Sequence, residues 1–346
     1  MKFKIKSKLK NYNLEFIDSY KKKIQRYNKS QLFIIDRNVF NLFFKNQIEI
    51  KNFILINSSE ENKSYQKIAT VITKILKKKL NKKDKIIAIG GGVTQDITSF
   101  ICSIYFRGVD WDFFPTTLLA QGDSCIGGKT SINFGKFKNQ LGNFNPPSDI
   151  YVDTNFLKKL KKKDIQSGIG EMAHLLAVKS YFNFNLISKY YREEISLKDL
   201  IIKSLLSKKY YIEKDEFDKN DRLKLNYGHT FGHALENLLN IPHGIAVAHG
   251  MNISNFISAN YNFISQEKYY EMRDTLNYIT KDYNIGKINL DKFLKLLKKD
   301  KKSTMKNIRV ILTKDIGKMF VYTVVNEHRF KSNLSKYFNP IINYKQ

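Results

Sequence analysis

Lys85-Ile86-Ile87-Ala88-Ile89-Gly90-Gly91-Gly92 is the stretch that decides the fold of this 346-residue chain. The apolar run is short and continuous, as in a strand buried on both faces. Three glycines end it, and a helix is expected from about Thr94 to Tyr105. A glycine turn between strand and helix lets the backbone approach a phosphate. The helix N-terminus adds unpaired N–H groups and a partial positive charge. The run lacks the GxGxxG fingerprint, so a tight turn without a ligand stands beside the phosphate-binding reading.

Outward from this turn the same alternation continues. Leu32 to Asp36, Phe53 to Asn57, Trp111 to Phe114 and Asp149 to Val152 read as strands, and Ser64 to Lys79 as a helix with Ile68, Val71, Ile72 and Ile75 on one face. Strands separated by helices predict a mostly parallel sheet. After about Asn155 the helical stretches take over: 168–178, 197–214, 227–239, 249–260 and 266–278. The expectation is an α/β domain over 1–155 followed by an all-α domain over 156–346, with no internal repeat.

Composition narrows the function classes. Apolar residues make up 42% of the chain, enough for a proper core, and no apolar run approaches the roughly 20 residues of a membrane span. The N-terminus has no apolar block of the signal-peptide kind. Cys102 and Cys125 do not make a disulfide framework, which fits a reducing cytoplasm. The net charge of +28 raises nucleic-acid binding, but only eight of the 60 basic residues are arginine. Readers of nucleic acid favour the arginine fork, so a solvated lysine coat is the reading, with no nucleic-acid partner and no membrane.

Five of six histidines lie between positions 174 and 249. His229 and His233 are one helical turn apart, and His243 follows after Pro242. Such a face suits a divalent metal or an anionic substrate. Chance clustering is the alternative. The segment Gly122 to Thr130 nearly matches a P-loop, but an extra glycine precedes Lys129, so triphosphate hydrolysis is rejected. Asp123 and Lys129 still offer a carboxylate for hydroxyls and an ammonium for anions. Arg107, Lys138 and Asn139 add donors.

Taken together, Gly90 to Asp96, Phe106-Arg107-Gly108, Pro115 to Gln121, Asp123 to Asn133, Leu225 to Glu236 and His243-Gly244 resemble the 3-dehydroquinate synthase family of sugar phosphate cyclases in order and spacing. The resemblance runs from about Phe33 to Val321. It implies a Rossmann-like NAD domain and a helical metal domain. The implied metal ligands are Glu171, His229 and His243, holding zinc or, alternatively, cobalt. His233 then faces the substrate. Asp123, Lys129, Asn139, Lys208, Arg222 and Asn226 match substrate-binding positions, and Lys302 matches a phosphate contact. Arg107 resembles an arginine given to a neighbouring subunit, which implies a homodimer. For NAD the candidates are Asp36, Glu60, Lys63, Gly91, Gly92 and Asp96, with Thr116, Thr117, Lys129 and Lys138.

Three positions depart from the family pattern: Gln95 in place of a glycine, His174 in place of a lysine and Ile245 in place of a glutamate. The first is expected to crowd the NAD loop. The second weakens a cationic substrate contact, and the third removes a polar group near the metal. The resemblance implies conversion of 3-deoxy-D-arabino-heptulosonate 7-phosphate to 3-dehydroquinate and phosphate with NAD recycled. The alternatives are another sugar phosphate cyclase, a metal-dependent polyol dehydrogenase of the glycerol dehydrogenase type, and a non-catalytic basic RNA-binding protein.

Overall fold

A computed structural model describes residues 1–45, 50–135, 137–299 and 308–339. The chain divides into two compact units. The first comprises Met1–Lys161 and Lys209–Phe217, the second Lys162–Lys208 and Asp218–Gln346. A single boundary after residue 155 therefore does not describe the division. The reason is visible in the bonds of residues 213 and 216. The Glu213 carboxylate accepts the Lys6 N–H at 2.8 Å, and Glu216 accepts the Lys8 N–H at 2.7 Å and the Ser7 hydroxyl at 2.5 Å.

In the first unit the strands are β1 (Lys2–Ile5), β2 (Tyr12–Phe16), β3 (Leu32–Asp36), β4 (Phe53–Ile56), β5 (Ile86–Gly90), β6 (Trp111–Pro115), β7 (Ile132–Phe134), β8 (Phe137–Leu141) and β9 (Asp149–Val152). Seven of them form one sheet in the order β1-β2-β9-β6-β5-β3-β4. Every pair is parallel except β1 with β2, and β7 pairs with β8 in a separate hairpin. The expected mostly parallel sheet is present. The helices are α1 (Tyr20–Ile24), α2 (Arg37–Phe43), α3 (Tyr65–Lys77) and α4 (Gly92–Ile104). All five residues of β3, β5 and β6 are buried, which explains the continuous apolar run of β5; the one charge inside β6, Asp112, accepts from Lys85 and Tyr27. One face of the sheet packs Phe33, Ile35, Ile87, Ile89 and Phe114 against Tyr20, Phe43 and Phe156.

The second unit contains α5 (Lys162–Lys179), α6 (Tyr181–Phe184), α7 (Leu186–Tyr191), most of α8 (Leu197–Lys214), α9 (His229–Leu239), α10 (His243–Asn260), α11 (Gln266–Thr280), α12 (Leu290–Lys299) and α13 (Glu327–Phe338). It is mainly helical but not all-helical. An antiparallel hairpin of β10 (Arg309–Thr313) and β11 (Met319–Thr323) turns at Gly317, where φ is +85°. Its Val310 and Leu312 join Phe231, Leu235, Ile253, Ile257, Phe293 and Phe330 in the core of this unit. That shared apolar face holds the two strands among helices. No described helix is long and apolar enough to cross a membrane.

Candidate active site

Two helix starts and one buried helix build the histidine cluster of the second unit. A 3₁₀ turn over Asp221–Asn226 leads to Tyr227, and Gly228 then adopts φ +82° as the N-cap of α9. A Cβ at Gly228 would lie 2.6 Å from the Val247 carbonyl oxygen, so the turn requires glycine on both counts. His229 follows as the first residue of α9, His233 comes one turn later, and His243 opens α10. From α5, whose residues 166–178 are all buried, Glu171 points at both helix starts.

The distances define a three-sided site. The Glu171 Oε1 lies 3.2 Å from His229 Nε2, and its Oε2 lies 3.4 Å from His243 Nε2. The ligand atoms of Glu171, His229 and His243 all fall within 4.8 Å of one another. His229 donates its Nδ1–H to the Tyr227 carbonyl at 3.4 Å, which leaves Nε2 on the carboxylate side. Burial raises the Glu171 carboxyl, but the facing imidazoles of His229 and His243 outweigh it and hold the group well below the usual carboxylate range. Its Oε2 is buried with no hydrogen-bond partner. One carboxylate and two imidazole nitrogens at these distances fit a divalent cation.

Two more histidines adjoin this set. The His233 ring stacks on His243 at 5.6 Å and meets His229 edge-on at the same separation. His174 meets His229 edge-on at 4.7 Å. His174 is 2% exposed, and its Nδ1 has no partner. Burial first, opposed by Glu171 and reinforced by His229 and Lys208, pushes its pKa down to about 3. It is thus a buried neutral ring and not a substitute cation. His249 stands apart from the cluster, donating Nε2–H to the Tyr283 carbonyl at 2.8 Å. Lys208 and Arg222, both buried, and the half-buried Asn226 belong to the same unit. Asn226 donates its side-chain N–H to the Leu223 carbonyl at 2.9 Å. Lys302 lies outside the described residues.

In the first unit the carboxyl ends of adjacent parallel strands carry the cofactor candidates. Gly91 caps α4 with no side-chain bond, and a Cβ there would sit 2.9 Å from Thr117 Cγ2. Thr116 donates its N–H to the Gly90 carbonyl, while its buried hydroxyl oxygen has no partner. Asp36 ends β3 and caps α2 through Oδ1, which accepts from the Asn38 and Val39 N–H groups. A second group centres on the buried Lys63 ammonium. It donates to Asp96 at 3.1 Å and to Asn139 at 2.9 Å, and lies 3.4 Å from the Glu60 carboxylate. The structure therefore brings Glu60, Lys63, Asp96 and Asn139 together, with Ser131 as a member that sequence reasoning missed. An uncapped helix start with small residues around it and an unmatched hydroxyl suits a dinucleotide phosphate.

Asp123 is half-buried within the π-turn Ala120–Ser124, while Lys129, Lys138 and Arg107 are exposed. Gln95 does not project into the glycine turn. Its amide N–H donates to the Ser124 carbonyl at 2.8 Å and its oxygen accepts the Ser124 hydroxyl at 2.9 Å. Ile245 is fully buried in α10. Glu236, the last residue of the quoted motif, was also missed as a site residue although it touches His243.

Two family models together match most of the chain. The model for the 3-dehydroquinate synthase N-terminal region matches residues 53–167, and the model for the C-terminal region matches 168–303. A 3-dehydroquinate synthase of Dictyoglomus thermophilum is 35% identical over 322 residues, 90% of each chain. One of Helicobacter pylori strain G27 is 36% identical over 268 residues, 76% of this chain and 77% of that one. Among solved structures, 2-deoxy-scyllo-inosose synthase complexed with carbaglucose-6-phosphate, NAD+ and Co2+ superposes with a TM-score of 0.82 at 21% identity, over 97% of this chain and 99% of that one. That last likeness establishes the fold. The family models and the near full-length relatives establish more, because they span both the glycine turn and the histidine cluster: the chain belongs to the 3-dehydroquinate synthase family.

Proposed function

We propose that the protein is a lyase that converts 3-deoxy-D-arabino-heptulosonate 7-phosphate to 3-dehydroquinate and phosphate, a step of the shikimate route to aromatic amino acids. The observation that carries this reading is the convergence of Glu171, His229 and His243 on one point, in a chain of this family. Glu171, His229 and His243 would hold a divalent cation, zinc or cobalt. When bound, the cation supplies Lewis acidity and NAD supplies a hydride acceptor that is restored within the cycle.

The remaining roles fall to side chains of each unit. In the first, we assign NAD binding to Gly91 and Gly92, with the N–H groups of α4, and to Asp36, Thr116 and Thr117. Glu60, Lys63 and Asp96 complete that assignment. Asp123, Lys129, Lys138 and Asn139 are assigned to substrate hydroxyls and anionic groups. In the second unit, Lys208 and Arg222 answer the carboxylate and phosphate charges of the substrate, and Asn226 orients it. His233, outside the ligand set, is the group placed to move a proton. His174 shapes the pocket wall as a neutral ring. We assign the protein to the cytoplasm as a homodimer, in which Arg107 reaches the neighbouring subunit. Lys302 is assigned to phosphate from its sequence position alone.

The test is phosphate release from the heptulosonate phosphate by purified protein supplied with NAD and zinc. Stoichiometric phosphate without accumulating NADH is expected. NADH build-up from glycerol without phosphate release would replace this reading with a polyol dehydrogenase, and RNA binding with a steep salt dependence would replace it with a binding protein.

A further inference from the structure

His243 has two ring nitrogens with different neighbours. Nε2 faces Glu171, and Nδ1 lies 2.8 Å from Glu236 Oε2. An ionised carboxylate only accepts, so this contact requires a proton on Nδ1 and leaves Nε2 as the nitrogen a cation can take. His229 is turned the same way, with Nδ1 held by a neutral carbonyl at the longer distance of 3.4 Å. The two imidazoles thus have unequal supports: one anionic and short, one neutral and long.

Helix stability does not account for Glu236. It occupies the last turn of α9, where the helix dipole disfavours a negative charge. The pair is also partly open, with side-chain exposures of 36% for Glu236 and 30% for His243, so its own contribution to folding is small. What the contact does fix is the ring plane, tautomer and basicity of His243.

We infer that Glu236 is a positioning residue for the divalent-cation site: by engaging Nδ1 it holds His243 with Nε2 turned toward Glu171. This rests on the reading that Glu171, His229 and His243 bind a cation. The experiment measures cobalt affinity by competition with a chromophoric chelator, and the visible spectrum of the bound cobalt, for the full chain and for Glu236→Ala, Glu236→Gln and Glu236→Asp. Glu236→Ala is expected to bind cobalt about 10–100-fold more weakly and to alter the visible bands. Glu236→Asp recovers part of the affinity. NAD affinity and the urea midpoint of the metal-free protein stay near wild type. Should Glu236→Ala be poorly soluble, the isosteric Glu236→Gln shows the same direction with a smaller loss. Wild-type affinity and spectrum in both would overturn the inference while leaving the cation site intact. A wild-type protein that binds no cobalt would overturn the cation-site reading and this inference with it.

Discussion

Gly170 and Gly244 meet backbone to backbone: a Cβ on Gly170 would lie 2.1 Å from the Gly244 carbonyl oxygen. The reverse approach is as close, since a Cβ on Gly244 would lie 1.8 Å from the Ser167 carbonyl oxygen. Each glycine adjoins a ligand candidate, Glu171 on α5 and His243 on α10. The absence of two side chains therefore sets the spacing of the carboxylate and the imidazole. Neither backbone can yield without moving its helix. Gly170→Ala should cost roughly 1–3 kcal/mol or more of stability by overpacking and weaken metal binding. Urea unfolding and a cobalt titration check both. Wild-type values in both would show that the helices can part freely.

The ligand set and its neighbour separate by mutation. His229→Ala should lose stoichiometric metal in elemental analysis. His233→Ala should retain it while the turnover rate falls by about 10²–10⁴, the range for loss of a proton-transfer group. Equal metal retention in both variants would contradict the division drawn between them.

His174 bears on the pH profile. A histidine of ordinary pKa would gain charge as pH falls toward 6 and could then act like a cation. Burial lowers this one to about 3, so it stays neutral across the range from 5 to 8. No rise in efficiency toward pH 6 is therefore expected from this ring. His174→Gln should leave the shape of the kcat/KM profile unchanged between those limits. An inflection near 6 present in the wild type and lost in the variant would restore the cationic role.

Stability should depend on pH through His249. Its folded-state pKa is lowered from 6.5 to about 4, with burial as the leading cause. The unfolded chain then takes up a proton that the folded chain refuses. The stability is fully present above about 6.5 and is lost as pH falls toward 4, by about 3 kcal/mol if the shift acts alone. His249→Gln should show a shallower loss than wild type between pH 7 and 4.5 in urea unfolding. Parallel pH curves would assign the loss to other groups.

Local sequence revealed some of these features and not others. The run into Gly90 to Gly92 was legible because burial on both faces leaves no polar interruption in β5. β1 and β2 also carried a signal, since Tyr12, Leu14 and Phe16 alternate with polar residues and are buried. Neither strand is among those read from the sequence, because the lysines of β1 and the short length of β2 leave no continuous apolar run. α10 begins at His243, six residues before the expected start, because its apolar residues surround the helix and show no single-face period. The three ligand candidates could be placed by motif. The depth of His174 depends on helices distant in sequence, and the contact of Glu236 with His243, seven residues on, depends on the turn between α9 and α10; no apolar periodicity records either. The β10–β11 hairpin was missed within a region read as helical throughout.

The return of residues 209–217 to the first unit also sets an order of events at the ribosome. Lys6, Ser7 and Lys8 leave the exit tunnel early, but the carboxylates of Glu213 and Glu216 that receive their hydrogens are made some two hundred residues later. Residues 162–208, which belong to the other unit, are synthesised in between. The N-terminal segment must therefore wait for these acceptors while part of the helical unit already exists. A chain stopped at Lys161 would leave those donors to water.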